Sequence, residues 1–260
     1  MSTTSAANGP LWGWAAQDWA DIQEQFARPV YEAAFDRILK PGMRYLDAGC
    51  GAGLALQMAA SRGAIVSGLD ASENLLAIAR TRVPQADLRQ GELEALPYPD
   101  HTFDLVTGFN SFQFAASPTQ ALAEAKRVAK PGAPVVIMTW GNPEGMPATV
   151  LVTCLKHLMP PHPPGTPGPF ALSDETKLRA FAAQAGLEPV EVFDTPTPWT
   201  YPDLATALRG LTSTGVSAVA VARTSRQQVE QAFTDALAPF RNSDGSYTAM
   251  ASFRCLITQA

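Results

Sequence analysis

The chain reads as one α/β domain built on a mostly parallel sheet, and three stretches carry that expectation. Residues 45–55, Tyr-Leu-Asp-Ala-Gly-Cys-Gly-Ala-Gly-Leu-Ala, form a buried strand running into three closely spaced glycines and then a helix. Residues 64–69, Ala-Ile-Val-Ser-Gly-Leu, are a short apolar run of the kind that a parallel strand covered on both faces requires. Leu122, Ala125, Val128 and Ala129 then recur at helical spacing before another apolar run at 134–139. Strands alternating with amphipathic helices build open α/β sheets, and 260 residues suffice for one such domain with insertions.

The remaining elements follow in order. Residues 1–10 are small and polar and read as a disordered tail, without the basic start or apolar core of a signal peptide. Residues 11–39 read as two helices, the second with Pro29 in its first turn. Trp12 and Trp19 sit two turns apart on one helical face, a stripe that serves either core packing or a ligand platform. Lys40-Pro41-Gly42 ends the second helix, and the first strand runs to Asp47. The helix after the glycines is expected to stop at Gly63. Further strands are expected at 86–90, 103–109 and 134–139, with a helix opened by Ser117-Pro118 and closed by Lys130-Pro131-Gly132.

Beyond Trp140 the pattern changes. A short helix contains residues 153–158, and 159–169 is too rich in proline for regular structure, hence a loop or lid. A helix at 173–185, a strand at 188–193, a helical insertion over 201–241 and an alternating last strand at 247–257 complete the chain. The organisation is thus a tail at 1–10 and a single domain at 11–260, with N-terminal helices at 11–39, a core at 40–140, and cap segments at about 141–172 and 200–243.

A net charge of −5 and a pI near 5.2 leave no basic footprint for nucleic acid or an anionic membrane, so small-molecule partners are favoured. No stretch approaches a membrane span, which makes a cytoplasmic protein the expectation. Cys50, Cys154 and Cys255 are odd in number and widely separated; free thiols are expected, and no metal-ligand spacing appears.

Gly49, Gly51 and Gly53 close the first strand, where glycines let backbone N–H groups approach a nucleotide-like ligand. A dinucleotide fingerprint would need its third glycine where Leu54 stands, so the spacing is G-x-G-x-G. Asp70, at the tip of the second strand, can accept both hydroxyls of a ribose or cap the next helix, a task Ser72 can also perform. Residues 110–114, Asn-Ser-Phe-Gln-Phe, sit at the carboxyl end of the fourth strand beside the glycine turn, where open sheets hold ligands.

Asp47-x-Gly49-x-Gly51-x-Gly53 resembles motif I of the class I S-adenosylmethionine-dependent methyltransferases. Glu124-Ala-Lys-Arg-Val-Ala-Lys-Pro-Gly132 is similar to that family's signature before the fifth strand, so the resemblance covers residues 39–140 without a gap. It implies a doubly wound, Rossmann-like sheet of seven strands, the last antiparallel between the fifth and sixth, with helices on both faces and a helical cap. It also implies S-adenosylmethionine as cofactor, lying against Asp47, Gly49, Cys50, Gly51 and Gly53, with Asp70 on the ribose. Ala71 and Leu75 would line the ribose and adenine side. Gly91, Glu92 and Leu93 take the adenine positions; the family more often has aspartate there, and a solvated Glu92 is the alternative. Asn110 and Ser111 complete the cofactor set, and Trp19, on an N-terminal helix folded over the mouth, joins it.

The implied acceptor is a small, largely apolar metabolite, in the branch that modifies quinones, fatty acids and secondary metabolites. Phe112, Phe114 and Gln23 are its candidate contacts, although packing explains the aromatic residues nearly as well. Neither Asn/Asp-Pro-Pro-aromatic nor Pro-Cys follows the fourth strand, so nucleic-acid bases are poor acceptors. No catalytic residue is assigned: His101, His157 and His162 are the only histidines, and the last two fall in the lid. A protein that binds the cofactor for non-methylating work, such as assisting a cyclisation or sensing, is the alternative. An NAD-dependent oxidoreductase ranks third. A monomer or homodimer fits either leading reading.

Overall fold

A computed structural model describes residues 4–160 and 168–260. Its sheet has seven strands in the order β3-β2-β1-β4-β5-β7-β6. These are β1 Arg44–Ala48, β2 Ile65–Asp70, β3 Asp87–Gln90, β4 Leu105–Phe109, β5 Pro134–Trp140, β6 Glu188–Tyr201 and β7 Tyr247–Gln259. The first five pair in parallel, while β7 runs antiparallel between β5 and β6. β1 and β4 mark the switch point, since the chain winds outward from β1 through β2 to β3 and then returns to β4 beside β1. Ligands of such sheets lie at the carboxyl ends of these strands.

Alternation along the strands divides the core between the two faces. Tyr45, Leu105, Val136 and Met138 join one cluster with the helices α3 Arg28–Ile38 and α4 Leu54–Ser61; Leu46, Val106, Val135 and Ile137 join the other with α6 Pro118–Val128 and α8 Glu175–Gln184. The Pro118 start and the apolar stripe of α6 behave as its sequence predicts. On the first face, buried residues continue into a helical layer of α7 Thr149–Thr153, α9 Leu204–Thr212, α10 Gly215–Arg223 and α11 Arg226–Leu237.

Several boundaries differ from the sequence reading for identifiable reasons. Residues 4–10 belong to a helix, α1 Thr4–Gly13, rather than a tail. Their small residues permit close approach, as Gly9 and Gly13 lie where a Cβ would meet Ala71 O at 2.6 Å and Ser72 Oγ at 2.5 Å. Trp12 and Trp19 do not share a helix: α1 ends at Gly13, and α2 Ala16–Asp18 begins a run of π and 3-10 turns reaching Ala27. Their rings still meet edge to face at 5.1 Å, because the turn between the helices folds one onto the other.

β6 extends eight residues past the expected Phe193 to Tyr201. Pro196 and Pro198 fall within this extension; β6 is an edge strand, and two prolines on alternate residues turn their missing donors outward. Helix α9 accordingly starts only at Leu204, where the Asp203 side chain accepts a bond from Thr206 N at 2.7 Å. Most of the proline-rich lid, including His162, lies outside the described residues.

Gly108 shows how closely the switch point is packed. A Cβ there would stand 2.1 Å from the ring of Phe112, which is fully buried against β4. Gly108→Ala should therefore destabilise the fold by about 1–3 kcal/mol, the usual range for overpacking. Urea denaturation of the variant checks this; an unchanged midpoint would mean that Phe112 moves freely aside.

A candidate cofactor site at the glycine turn

The turn after β1 is made by three residues in the left-handed region, with φ of 89° at Gly49, 53° at Gly51 and 83° at Gly53. Gly49 is further required by Ser111, since a Cβ would lie 2.4 Å from that side chain, whose Oγ donates to Ala48 O at 2.5 Å. Gly53 lets α4 begin against Ala79 of α5 Glu73–Arg82, with only 2.9 Å left for a Cβ.

The donors of the turn are all taken within the protein, which corrects the expectation that they face a ligand. Gly49 and Cys50 N–H both donate to Leu69 O at 2.7 and 2.9 Å, and Gly53 N–H donates to Cys50 O at 2.9 Å. Gly51 N–H donates to Asp70 Oδ2 at 2.8 Å, and Ala52 N–H to Glu24 Oε1 at 3.1 Å. The glycines thus shape the turn so that two carboxylates can hold it.

Three carboxylates gather at this turn, and one of them, Glu24, is paired with a cation. Asp47 is buried, and its Oδ1 accepts from Thr107 Oγ1 at 2.7 Å, which in turn lies 2.7 Å from Tyr45 Oη. Burial pushes Asp47 up to about 8; the Thr107 bond opposes this, and the nearby Asp70 and Glu24 add to it. Burial likewise raises Glu24 to about 7 against the pull of Arg82. Asp70 is raised by burial too, opposed by the N–H groups of Ser72 and Gly51. Ser72 N–H donates to its Oδ1 at 2.8 Å, so Asp70 tightens the turn after β2 while Ser72 Oγ caps α5 through Leu75 N.

Arg82 is the cation. It pairs with Glu24 and donates to Ala52 O at 3.1 Å and Ala20 O at 2.7 Å, tying α5, the glycine turn and the N-terminal turns together. Neither Glu24 nor Arg82 stood out in the sequence. Glu24 lies in a polar stretch that reads as a solvated helix face, and only the π turn at Trp19–Gln23 rotates it inward.

The other expected contacts divide. Trp19 stands over the turn: a Cβ on Gly51 would lie 3.6 Å from its Nε1, and that buried nitrogen has no hydrogen-bond partner among the described residues. Gly91 N–H donates to Asp70 O at 3.1 Å and starts the segment with Glu92 and Leu93 at the carboxyl end of β3. The Glu92 carboxylate accepts from Ser5 N–H at 2.8 Å and Ser5 Oγ at 2.5 Å, so α1 reaches it and it is not simply solvated. Ala71 is partly exposed beneath Gly9, whereas Leu75 is sealed with Ala20 and Ala52 and presents little surface to a ligand. Asn110 adopts a left-handed φ of 57° at the end of β4, its Oδ1 accepting from Gln113 Nε2.

The acceptor candidates need correction. Phe112 lies on the far side of β4, fully buried in the second core, and forms no ligand wall. Phe114 is at the surface, edge to face with Trp12 at 5.5 Å. Gln23 is buried, and its Oε1 accepts from Tyr201 Oη at 3.0 Å. His101 sits in the turn before β4 with Nδ1 3.2 Å from Ala129 O, and His157 is exposed. All three cysteines are free. No described helix is by itself long and apolar enough to cross a membrane, and no described cluster of His, Cys, Asp or Glu suits a metal ion.

Residues 46–137, from β1 to β5, match a family model described as a methyltransferase domain. The demethylmenaquinone methyltransferase of Renibacterium salmoninarum is 36% identical over 46% of this chain and 51% of its own length. The ubiquinone biosynthesis O-methyltransferase of Roseobacter denitrificans is 33% identical over 62% of this chain and 67% of its own. The chain spans about half the length of most of the curated relatives it matches. In fold, the [4+2]-cyclase SpnF is similar with a TM-score of 0.57 at 20% identity, covering 88% of this chain and 79% of that one. A seven-stranded sheet with β7 reversed, a three-glycine turn gripped by carboxylates, and a relative one-third identical over two thirds of its length together place this chain in the class I S-adenosylmethionine-dependent methyltransferase family.

Proposed function

We propose that this protein transfers a methyl group from S-adenosylmethionine to a small, largely apolar acceptor. The observation that carries the reading is the set of three carboxylates about the glycine turn, Glu24 among them paired with Arg82, and the Trp19 Nε1 above it that has no partner among the described residues. A cationic ligand with a carboxylate tail complements that set: negative protein charge for its ammonium and sulfonium, and an indole donor for its carboxylate. When bound, the cofactor supplies a methyl group made electrophilic by the sulfonium, so the protein's own residues need only bind, orient and exclude water.

Asp70 would hold the ribose hydroxyls, because each of its oxygens accepts one backbone N–H and retains a lone pair. Glu92 and the Leu93 backbone would meet the adenine edge, with Ser5 exchanging its bonds to Glu92 for those of the ligand. Asp47 and Glu24 would face the methionine end from beneath the turn. The segments flanking the core, α1 to Ala27 and α9 to α11, would form the water-excluding cap that chooses the acceptor.

Calorimetry should show S-adenosylmethionine or S-adenosylhomocysteine binding more tightly than NAD; NAD binding with no response to either sulfur compound would end this reading. Trp19→Phe should weaken binding of both sulfur compounds about tenfold, the effect of one charge-assisted hydrogen bond. Loss of the N–H itself should cost no thermal stability, because it has no partner among the described residues.

Affinity should also depend on pH with a definite sign. Asp47 and Glu24, raised to about 8 and about 7, ionise between roughly pH 6 and 9, and each added negative charge favours the sulfonium cation. Asp70 and Arg82 face the same turn, and burial holds Tyr31, Tyr45 and Cys50 neutral there. The preference for S-adenosylmethionine over the uncharged-sulfur product should therefore rise from pH 6 to 8.5. In Asp47→Asn the rise should shrink; equal slopes for both ligands would refute the electrostatic assignment.

A further inference from the structure

The overlong end of β6 holds two polar groups that the fold does not use. Thr197 and Trp199 point to the same face of the strand, are 0% and 5% exposed, and have no hydrogen-bond partner for Oγ1 and Nε1 among the described residues. Leaving a buried donor unpaired costs about 1–3 kcal/mol, a cost that valine at 197 and phenylalanine at 199 would not carry. Such exceptions call for a physical cause.

Their surroundings supply one. Phe26 stacks on Trp199 with centroids 6.0 Å apart, and Trp140 meets Trp199 edge to face at 5.7 Å. Trp140 also stacks on Phe253 at 4.8 Å and approaches Phe170 at 6.2 Å. Phe26, Trp140 and Phe170 are only partly buried, so this aromatic corner has an open side. It also adjoins the cofactor site. Phe26 follows Glu24, which grips Ala52, and Trp140 ends β5, whose Met138 O accepts from Asn110 N–H at 3.2 Å.

We propose that this corner, bounded by Phe26, Trp140, Thr197, Trp199 and Phe253, is the acceptor site, and that it takes a flat, mostly apolar ring bearing an oxygen. The inference rests on the methyltransferase reading and names the acceptor's class. Rings of this kind give large apolar contact to the indole and phenyl faces. Trp199 Nε1 is a donor only, so its complement is a carbonyl or hydroxyl oxygen, and the Thr197 hydroxyl can donate or accept at a second polar point.

The test compares 1-naphthol with naphthalene as probes, by fluorescence titration of the full chain saturated with S-adenosylhomocysteine. The native protein should prefer 1-naphthol about tenfold, the worth of one net hydrogen bond. Trp199→Phe should abolish the preference while S-adenosylhomocysteine binding is retained, and Thr197→Val, which keeps the side-chain volume, should reduce the preference without loss of stability. Equal binding of the two probes, binding of neither, a preference that survives both substitutions, or a lowered melting temperature in Thr197→Val would each overturn the proposal. S-adenosylhomocysteine binding is read separately in every variant: its absence from the native protein counts against the methyltransferase reading, and its retention beside lost discrimination isolates the acceptor site.

Discussion

The buried ion pair between Glu24 and Arg82 is the constraint on which the rest of the site depends. Each partner also holds backbone of the glycine turn: Glu24 takes Ala52 N–H and Arg82 gives to Ala52 O. The N-terminal turns, the turn after β1 and helix α5 are thereby fixed as one unit. Removing either member would leave a charge buried without its partner, a far larger penalty than loss of a surface pair. Trp19 and Phe26 are positioned by the same clamp, because they flank Glu24 on the segment it pins.

Much of the core was legible in the sequence because local pattern and tertiary role coincide there. The β1 turn, the β2 strand ending at Asp70, and α6 with its Pro118 start each bury a simple period, and all three point to the same fold. The reversed β7 rested on family resemblance, and the register of β5 and β6 against it agrees with that expectation.

The parts that were not legible are those where tertiary contacts override local preference. α1 is rich in small polar residues and has little helical signal of its own; contacts with Ala71, Ser72 and Glu92 hold it in place. Phe112 was placed near the ligand by position alone, and only the absence of a side chain at Gly108 explains why it turns to the opposite face. Glu24 needed a π turn to reach the interior, which no periodic pattern signals.

The prolines of β6 bear on how copies of this molecule can associate. An exposed edge strand is ordinarily a template on which another chain can add its own strand, but Pro196 and Pro198 leave the outer side of that ladder without two of its donors. Self-association by continuing the sheet across this edge is thus disfavoured by the backbone itself, which leaves the opposite edge at β3 and the helical faces as the surfaces on which a homodimer could be built.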